Sequence, residues 1–294
     1  MTSYPLIGRR IPLRVIVILA LLSWVVPPAT TASAAATPET GLLITPLRQF
    51  LTVDAGMTKQ SQFTIANLTN APLEVTLSLQ QFSVTDYAYS YVFSAPANDW
   101  LHLGQTNVTL QPNQSHDISY SLDVPTGSTP GGQYYTLFAS AYTGTQGVHS
   151  IIQATDLVYV TVNGHLSQTT KLQNSSMPWI VFGRHVPYTL EPIDTGNVHT
   201  FVFTTGQLHG FLTKLSPSPA THLLMPGKVR ALAGSIPSPI LPGVYRAVFG
   251  YKTDGGQQVS VSRYVLFIPP WFIALVLAGL LALGRYWPRR RKTE

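Results

Sequence analysis

The chain contains no cysteine. That excludes disulfides, thiol nucleophiles, cysteine-ligated zinc and a lipidated N-terminal cysteine. An exported domain built from this sequence would be held together by its sheets alone. Charge is also scarce. Asp, Glu, Lys and Arg make up 10% of the 294 residues, against about 25% in ordinary soluble domains. The fingerprints of several enzyme classes are missing as well. No glycine-rich phosphate loop follows a strand, and neither His-Glu-x-x-His nor Gly-x-Ser-x-Gly occurs. Asp117 and Asp123 share one face of a strand but stand about 20 Å apart at a 3.3 Å rise. A glycosidase pair needs about 5 to 9.5 Å. No catalytic residue, metal ligand or cofactor site is expected.

The formal net charge of +6 belongs to the ends of the chain. Arg9, Arg10 and Arg14 precede the first apolar run, and Arg285, Arg289, Arg290, Arg291 and Lys292 follow or close the last one. Residues 37–268 hold ten basic and eleven acidic residues. The clustered positive charge of a nucleic-acid protein is therefore lacking in the part that would fold.

The two apolar runs read as export and anchoring signals. Residues 1–36 have a basic start, an apolar stretch from Val15 to Val26 and small residues ending at Ala34 or Ala36, the three parts of a signal peptide. Val265 to Gly284 is a 20-residue stretch without charge, enough for about 30 Å of helix. Trp271, Tyr286 and Trp287 flank it like interfacial aromatics, and the basic run after it predicts a cytoplasmic C-terminus. The sequence thus predicts a transmembrane helix over 269–287, a basic cytoplasmic tail over 288–294, and the bulk of the chain outside the plasma membrane.

Between these ends the pattern is strand-like. Thr, Ser, Tyr, Val and Leu dominate, with 23 Pro and 22 Gly. Apolar residues alternate in Gln62–Ala66, Leu73–Leu79 and His116–Val124, separated by turn residues. A repeat is visible. Asn67-Leu68-Thr69-Asn70, Leu110-Gln111-Pro112, Val124-Pro125 and Pro130-Gly131-Gly132-Gln133-Tyr134 recur in order as Asp194-Thr195-Gly196-Asn197, Leu224-Met225-Pro226, Ile236-Pro237 and Pro242-Gly243-Val244-Tyr245. The expected fold is all-β, with two tandem immunoglobulin-like sandwiches over 41–164 and 165–268. The first carries an extra stretch, Asp86 to Thr106, and limited bending is expected at the short junction.

Ile44-Thr45-Pro46-Leu47-Arg48, Asp54-Ala55-Gly56 and the first-unit motifs above, extended through Tyr135, resemble the N-terminal domain of the WxL-interacting protein family of bacterial cell-surface proteins. The second unit resembles that family's second domain weakly. The resemblance implies a signal peptide, two immunoglobulin-like domains, a C-terminal helix with a basic tail, and non-covalent binding of peptidoglycan or surface proteins, without assigning residues.

Candidate contact residues come from Tyr87, Tyr89 and Tyr91, aromatics at alternate positions, and from Trp100. On one strand face such rings are either a platform for sugar stacking or an inward core face. Trp179, beside Pro178, reads as core, with an interface position as the alternative. The function these features predict is a membrane-anchored adhesion or scaffold protein binding cell wall or protein partners. The alternatives are an accessory subunit of an envelope membrane complex and an envelope hydrolase.

Overall fold

The computed structural model describes residues 41–143, 150–210 and 214–286. The expected signal peptide over 1–36 and basic tail over 288–294 lie outside the described residues. Among the described residues the architecture is all-β with one helix, and the strands form two immunoglobulin-like sandwiches.

The first sandwich begins with β1 (Leu42–Thr45) and β2 (Arg48–Val53), then β3 (Thr58–Asn67), β4 (Leu73–Val84), β5 (Tyr91–Ser94), β6 (Leu101–Leu103) and β7 (Asn107–Leu110). It ends with β8 (Ser115–Asp123), β9 (Gly131–Thr143) and β10 (Ser150–Val162). One sheet runs β1-β3-β8-β6 and the other β2-β10-β9-β4-β5, with β7 also paired to β4. Every pairing is antiparallel except β2 on β10. The chain therefore changes sheets between β1 and β2, at a corner containing the cis peptide Thr45–Pro46.

The second sandwich repeats this path. It comprises β11 (Thr170–Ser176), β12 (Ile180–Val181), β13 (His185–Asp194), β14 (Thr200–His209), β15 (Lys214–Leu215), β16 (Thr221–Leu224), β17 (Leu232–Pro237), β18 (Gly243–Thr253) and β19 (Gln258–Phe267). Its sheets run β11-β13-β17 and β12-β19-β18-β14-β15, with β16 on β14. Again the chain switches sheets early, and β12 lies parallel to the last strand, β19.

Alternation explains why these segments are strands. In β4 every second residue from Leu73 to Leu77 is buried, and in β13 the buried set is Val186, Tyr188, Leu190, Pro192 and Asp194. A period of two places one set on the inner face of a pleated sheet. Phe63, Ile65, Ile118, Tyr120, Leu122 and Tyr135 fill the first core, and Tyr188, Leu190, Phe249, Tyr251 and Val265 the second. At roughly 2 kcal/mol per large apolar side chain, these cores replace the missing disulfides.

The uncharged run from Val265, on which the helix expected over 269–287 drew, is not helical throughout. Val265 and Phe267 point into the second core, 0% and 2% exposed, so the start of the apolar run is spent on β19. Core burial and a membrane span ask for the same residue types, and alternation with the strand decides for burial. The helix itself, α1 (Pro270–Tyr286), is 17 residues long. Among the described residues no helix is long and apolar enough to cross a membrane.

Candidate binding cleft at the junction of the sandwiches

The two sandwiches belong to one compact unit, and a shared aromatic cluster joins them. Phe50 of β2 stacks on Tyr159 of β10, with ring centroids 4.9 Å apart. His199, just before β14, packs against Phe50, Tyr134 and Tyr159 at 5.3 to 5.8 Å. Phe201 closes on Phe50 from the same side at 5.6 Å. Phe82, Val84, Leu157 and Met225 complete the cluster. Burial pushes the His199 imidazole down to about 4, so it is neutral here. Its Nδ1 meets no hydrogen-bond partner among the described residues.

Asn197 ties the backbones together. Its side chain donates to the carbonyls of Pro130 (3.1 Å) and His165 (3.0 Å) and accepts from the Ser167 N–H (2.8 Å). Its own carbonyl accepts from the Gly132 N–H at 2.8 Å. The sequence Pro130-Gly131-Gly132 is explained by this approach. A Cβ on Gly131 would stand 2.7 Å from the Asn197 carbonyl oxygen, and its φ of +143° disfavours any side chain. The Asn197 turn and the Pro-Gly launch of β9, two motifs of the internal repeat, meet each other here.

The extra stretch of the first sandwich also docks on the second. Tyr87 N–H donates to the Val229 carbonyl at 2.8 Å, and the Tyr87 carbonyl accepts from Ala231 N–H at 3.2 Å. Asp86 accepts from Val229 N–H at 2.9 Å. The Tyr89 ring lies under the Arg230 guanidinium, 4.5 Å from its centroid, and the Tyr89 hydroxyl accepts from Met225 N–H. Burial pushes Tyr89 up to about 12, so it stays a neutral phenol.

This arrangement corrects the reading of Tyr87, Tyr89 and Tyr91 as one face of a strand. Tyr87 and Tyr89 have φ of +61° and +57°, the left-handed region that bulky residues rarely occupy. Backbone bonds to the second sandwich, unreadable from local alternation, hold them there. Only Tyr91 reaches a strand, as the first residue of β5. The exposed aromatic pair is Tyr91 with Phe93, whose rings lie 6.3 Å apart and 19° from parallel. Phe93 carries the alternation that the sequence places one step too early. Trp100 is elsewhere. It packs half-buried against the first core, and its carbonyl accepts from Asp123 N–H at 2.7 Å. Trp179, expected in the core, is 74% exposed.

Between the docked loop and the aromatic cluster lies a cleft of about 250 Å³ with Tyr89, Tyr91, Tyr159, Arg48, His222 and Arg230 in its lining. Arg230 is already engaged, donating to the Leu223 carbonyl at 2.6 Å. Arg48 is not. The described residues contain no ion pair between an arginine or lysine and a carboxylate, since the two present involve His102. Nor does any described residue accept a hydrogen bond from Arg48. The His222 Nε2 is buried without a partner among the described residues, and burial followed by the Arg230 charge lowers its pKa. The cleft thus offers the exposed Tyr91 ring, an unpaired guanidinium, which is a bidentate carboxylate or phosphate donor, and a neutral imidazole. Among the described residues no group of three or more His, Cys, Asp or Glu could hold a metal ion.

No family model matches the chain, and no curated protein matches it. Solved structures similar to it include the class 5 fimbriae chaperone CfaA, 9% identical with a TM-score of 0.43 over 77% of this chain and 99% of that one. The E. coli chaperone DraB is 10% identical, with a TM-score of 0.39 over 76% and 98%. A PapD-like domain of human CEP192 is 14% identical, with a TM-score of 0.33 over 47% and 92%. Likenesses this distant say nothing about what the chain binds.

Proposed function

We propose that this chain is a non-catalytic, membrane-anchored protein of a bacterial surface. It displays two fused sandwiches, whose junction cleft binds an acidic glycan of the cell wall, of which peptidoglycan is the leading case. The observation that carries this reading is the cleft itself, which sets an unpaired Arg48 guanidinium in one lining with the exposed Tyr91 ring. Sugar rings stack on aromatic faces, and the carboxylates of a muropeptide suit a free guanidinium. The resemblance to WxL-interacting proteins supports the same ligand.

Anchoring is assigned to the C-terminal apolar run. Apart from Arg285 the residues of α1 carry no charge, and Leu275, Leu277, Leu280, Leu281 and Leu283 are 55% to 76% exposed. A helix apolar all round is stable only when something apolar surrounds it. Its length of about 25 Å is near the lower limit of a span. Secretion by residues 1–36 and a cytoplasmic basic tail complete the expected topology.

The second reading, an accessory subunit that docks other polypeptides, rests on β5. It is an edge strand in which Tyr91, Val92 and Phe93 are all exposed, the arrangement that accepts an added strand.

Co-sedimentation of the full chain in nanodiscs with purified peptidoglycan tests the first reading. Retention should fall by about tenfold in Arg48→Ala, the loss of one charge-assisted contact. Equal retention of the wild type and Arg48→Ala, or none by either, overturns the cleft as the glycan site.

A further inference from the structure

A second surface lies at the other end of the second sandwich, where α1 leaves. Trp179 (74% exposed), Phe182 (51%), Ile240 (81%), Leu241 (55%), Val244 (67%) and Tyr264 (71%) all project there. Their placement is set by the sheet register. β12 pairs with the end of β19, Ile180 opposite Leu266, so Trp179 and Phe182 flank the exit to the helix. Ile240 and Leu241 occupy the turn between β17 and β18. Val244 faces Leu266, and Tyr264 faces Arg246, on the final rungs of the β18–β19 pair. Monomeric proteins rarely leave so many large apolar side chains together in water.

The patch is held in place. Tyr245 donates its hydroxyl proton to the Leu241 carbonyl at 2.9 Å. The Trp271 indole N–H in the first turn of α1 donates to the Ile240 carbonyl at 3.1 Å. Leu266 N–H donates to the Trp179 carbonyl at 2.8 Å, and Ser238 N–H to the Arg184 carbonyl at 3.0 Å. The start of the helix, the turn that presents Ile240, and the strand ends therefore form one fixed platform.

Its charge has one sign. Arg184 and Arg246 are exposed at this end, with no carboxylate in ion-pair range among the described residues; Arg246 Nε donates to the Ser262 hydroxyl at 2.9 Å. The acids of this sandwich lie toward the opposite end. Asp194 is the last residue of β13 and Asp254 sits in the turn after β18, beside the first sandwich, with Glu191 one turn of pleat below Asp194.

We infer that this end of the second sandwich rests on a lipid surface rich in anionic headgroups. Trp179, Phe182, Ile240 and Leu241 enter the interfacial layer, and Arg184 and Arg246 contact the headgroups. Aromatic and apolar side chains partition to that layer, and basic residues nearby add attraction to anionic lipid. The inference rests on the anchoring proposed for α1 and deepens it. A helix alone would leave the sandwiches free to tilt about residues 268–270, whereas a seated platform fixes how far the junction cleft stands from the membrane.

The absence of cysteine makes the test direct. Single-cysteine variants Ile240→Cys, Leu277→Cys and Gly255→Cys of the full chain are nitroxide-labelled in nanodiscs of phosphatidylglycerol or phosphatidylcholine. Collision with oxygen, which prefers lipid, is compared with collision with a water-soluble nickel chelate. The expected result is a several-fold higher oxygen-to-nickel ratio at 240 than at 255, larger in phosphatidylglycerol. A lipid-like value at 277 with a water-like value at 240 overturns the seated platform and leaves the anchor standing. Water-like values at both positions overturn both. A lipid-like value at 240 alone supports the platform and removes the anchor. Equal ratios at 240 in the two lipids overturn the role given to the arginines.

Discussion

In the first sandwich Asn67 closes the turn after β3; in the second Asp194 stands at the same point after β13. Both are fully buried. The Asn67 amide donates to the carbonyls of Ala71 (2.8 Å), Leu110 (3.1 Å) and Gln111 (3.2 Å), while its oxygen accepts from Thr69 N–H at 2.9 Å. An amide can do both; a carboxylate only accepts. Asp194 Oδ1 accepts from Gly196 N–H at 2.8 Å, while its Oδ2 is buried with no hydrogen-bond partner among the described residues. Gly227 N–H donates to the Asp194 carbonyl at 2.8 Å. One chain path thus carries two chemistries. The first is closed on itself by a neutral side chain. The second keeps a costly carboxylate beside the junction, where burial pushes it up to about 6.

The largest effect should come from removing what joins the two halves. Tyr134 touches Phe82, Tyr159 and His199 and accepts from His199 N–H at 3.0 Å. Tyr134→Ala should cost about 3–4 kcal/mol. In calorimetry the single unfolding transition expected of a fused pair should split into two. A single, merely lowered transition would mean that the cores, and not the aromatic cluster, carry the coupling.

Exchanging the two turn residues sharpens the contrast at a smaller scale. Asn67→Asp sets a carboxylate against three carbonyl oxygens and should cost about 3 kcal/mol at pH 8. Asp194→Asn should be neutral or stabilising by about 1 kcal/mol there, because it removes a buried charge and keeps an acceptor for Gly196. The sign with pH comes from linkage. The folded Asp194, at about 6, holds its proton more tightly than the usual 3.8. The carboxylate's cost is therefore full above pH 6 and fades as pH falls toward 4. Asp156, at about 6 from burial next to the Gln49 donor, acts in the same direction in the first sandwich. His199, at about 4, opposes them, since unfolding lets it take up a proton below its usual 6.5. Urea midpoints should fall more on acidification from pH 8 to 6 in Asp194→Asn than in the wild type, because the variant loses the carboxylate that offsets His199. An unchanged slope would show that Asp194 already has a partner for its charge.

The sheets are legible in the sequence because burial on one face imposes a period of two, as in Leu73, Val75 and Leu77. The paired turns are legible because Asn and Asp close turns by chemistry that depends on near neighbours. The junction is not. Phe50, Tyr134, Tyr159 and His199 are scattered over 150 residues, and no local pattern says that their rings meet. The same limit misplaces Tyr87 and Tyr89, whose left-handed backbone is imposed by residues 229–231. Trp179 is misread for another reason. Alternation marks a face as apolar but not what covers it, and at the helix end of the second sandwich no described residue does. Val265 and Phe267 read as part of a span because membrane and core select the same side chains.

The smallest expected change in stability belongs to the residue most exposed to the proposed ligand. Tyr91 is 42% exposed and leans on Phe82 at 5.6 Å, so Tyr91→Ala should move stability by no more than about 1 kcal/mol. Trp100 shares its candidacy as a contact residue, yet it packs against the first core, and Trp100→Ala should cost about 3 kcal/mol. Peptidoglycan retention should run the other way, falling several-fold in Tyr91→Ala and holding in folded Trp100→Ala. Retention lost with Trp100 and kept without Tyr91 would move the glycan site to the β6 side of the first sandwich, far from Arg48. The two aromatic substitutions therefore separate the part of the first sandwich that holds the fold from the part left free to bind, a division that stability measurements alone would not reveal.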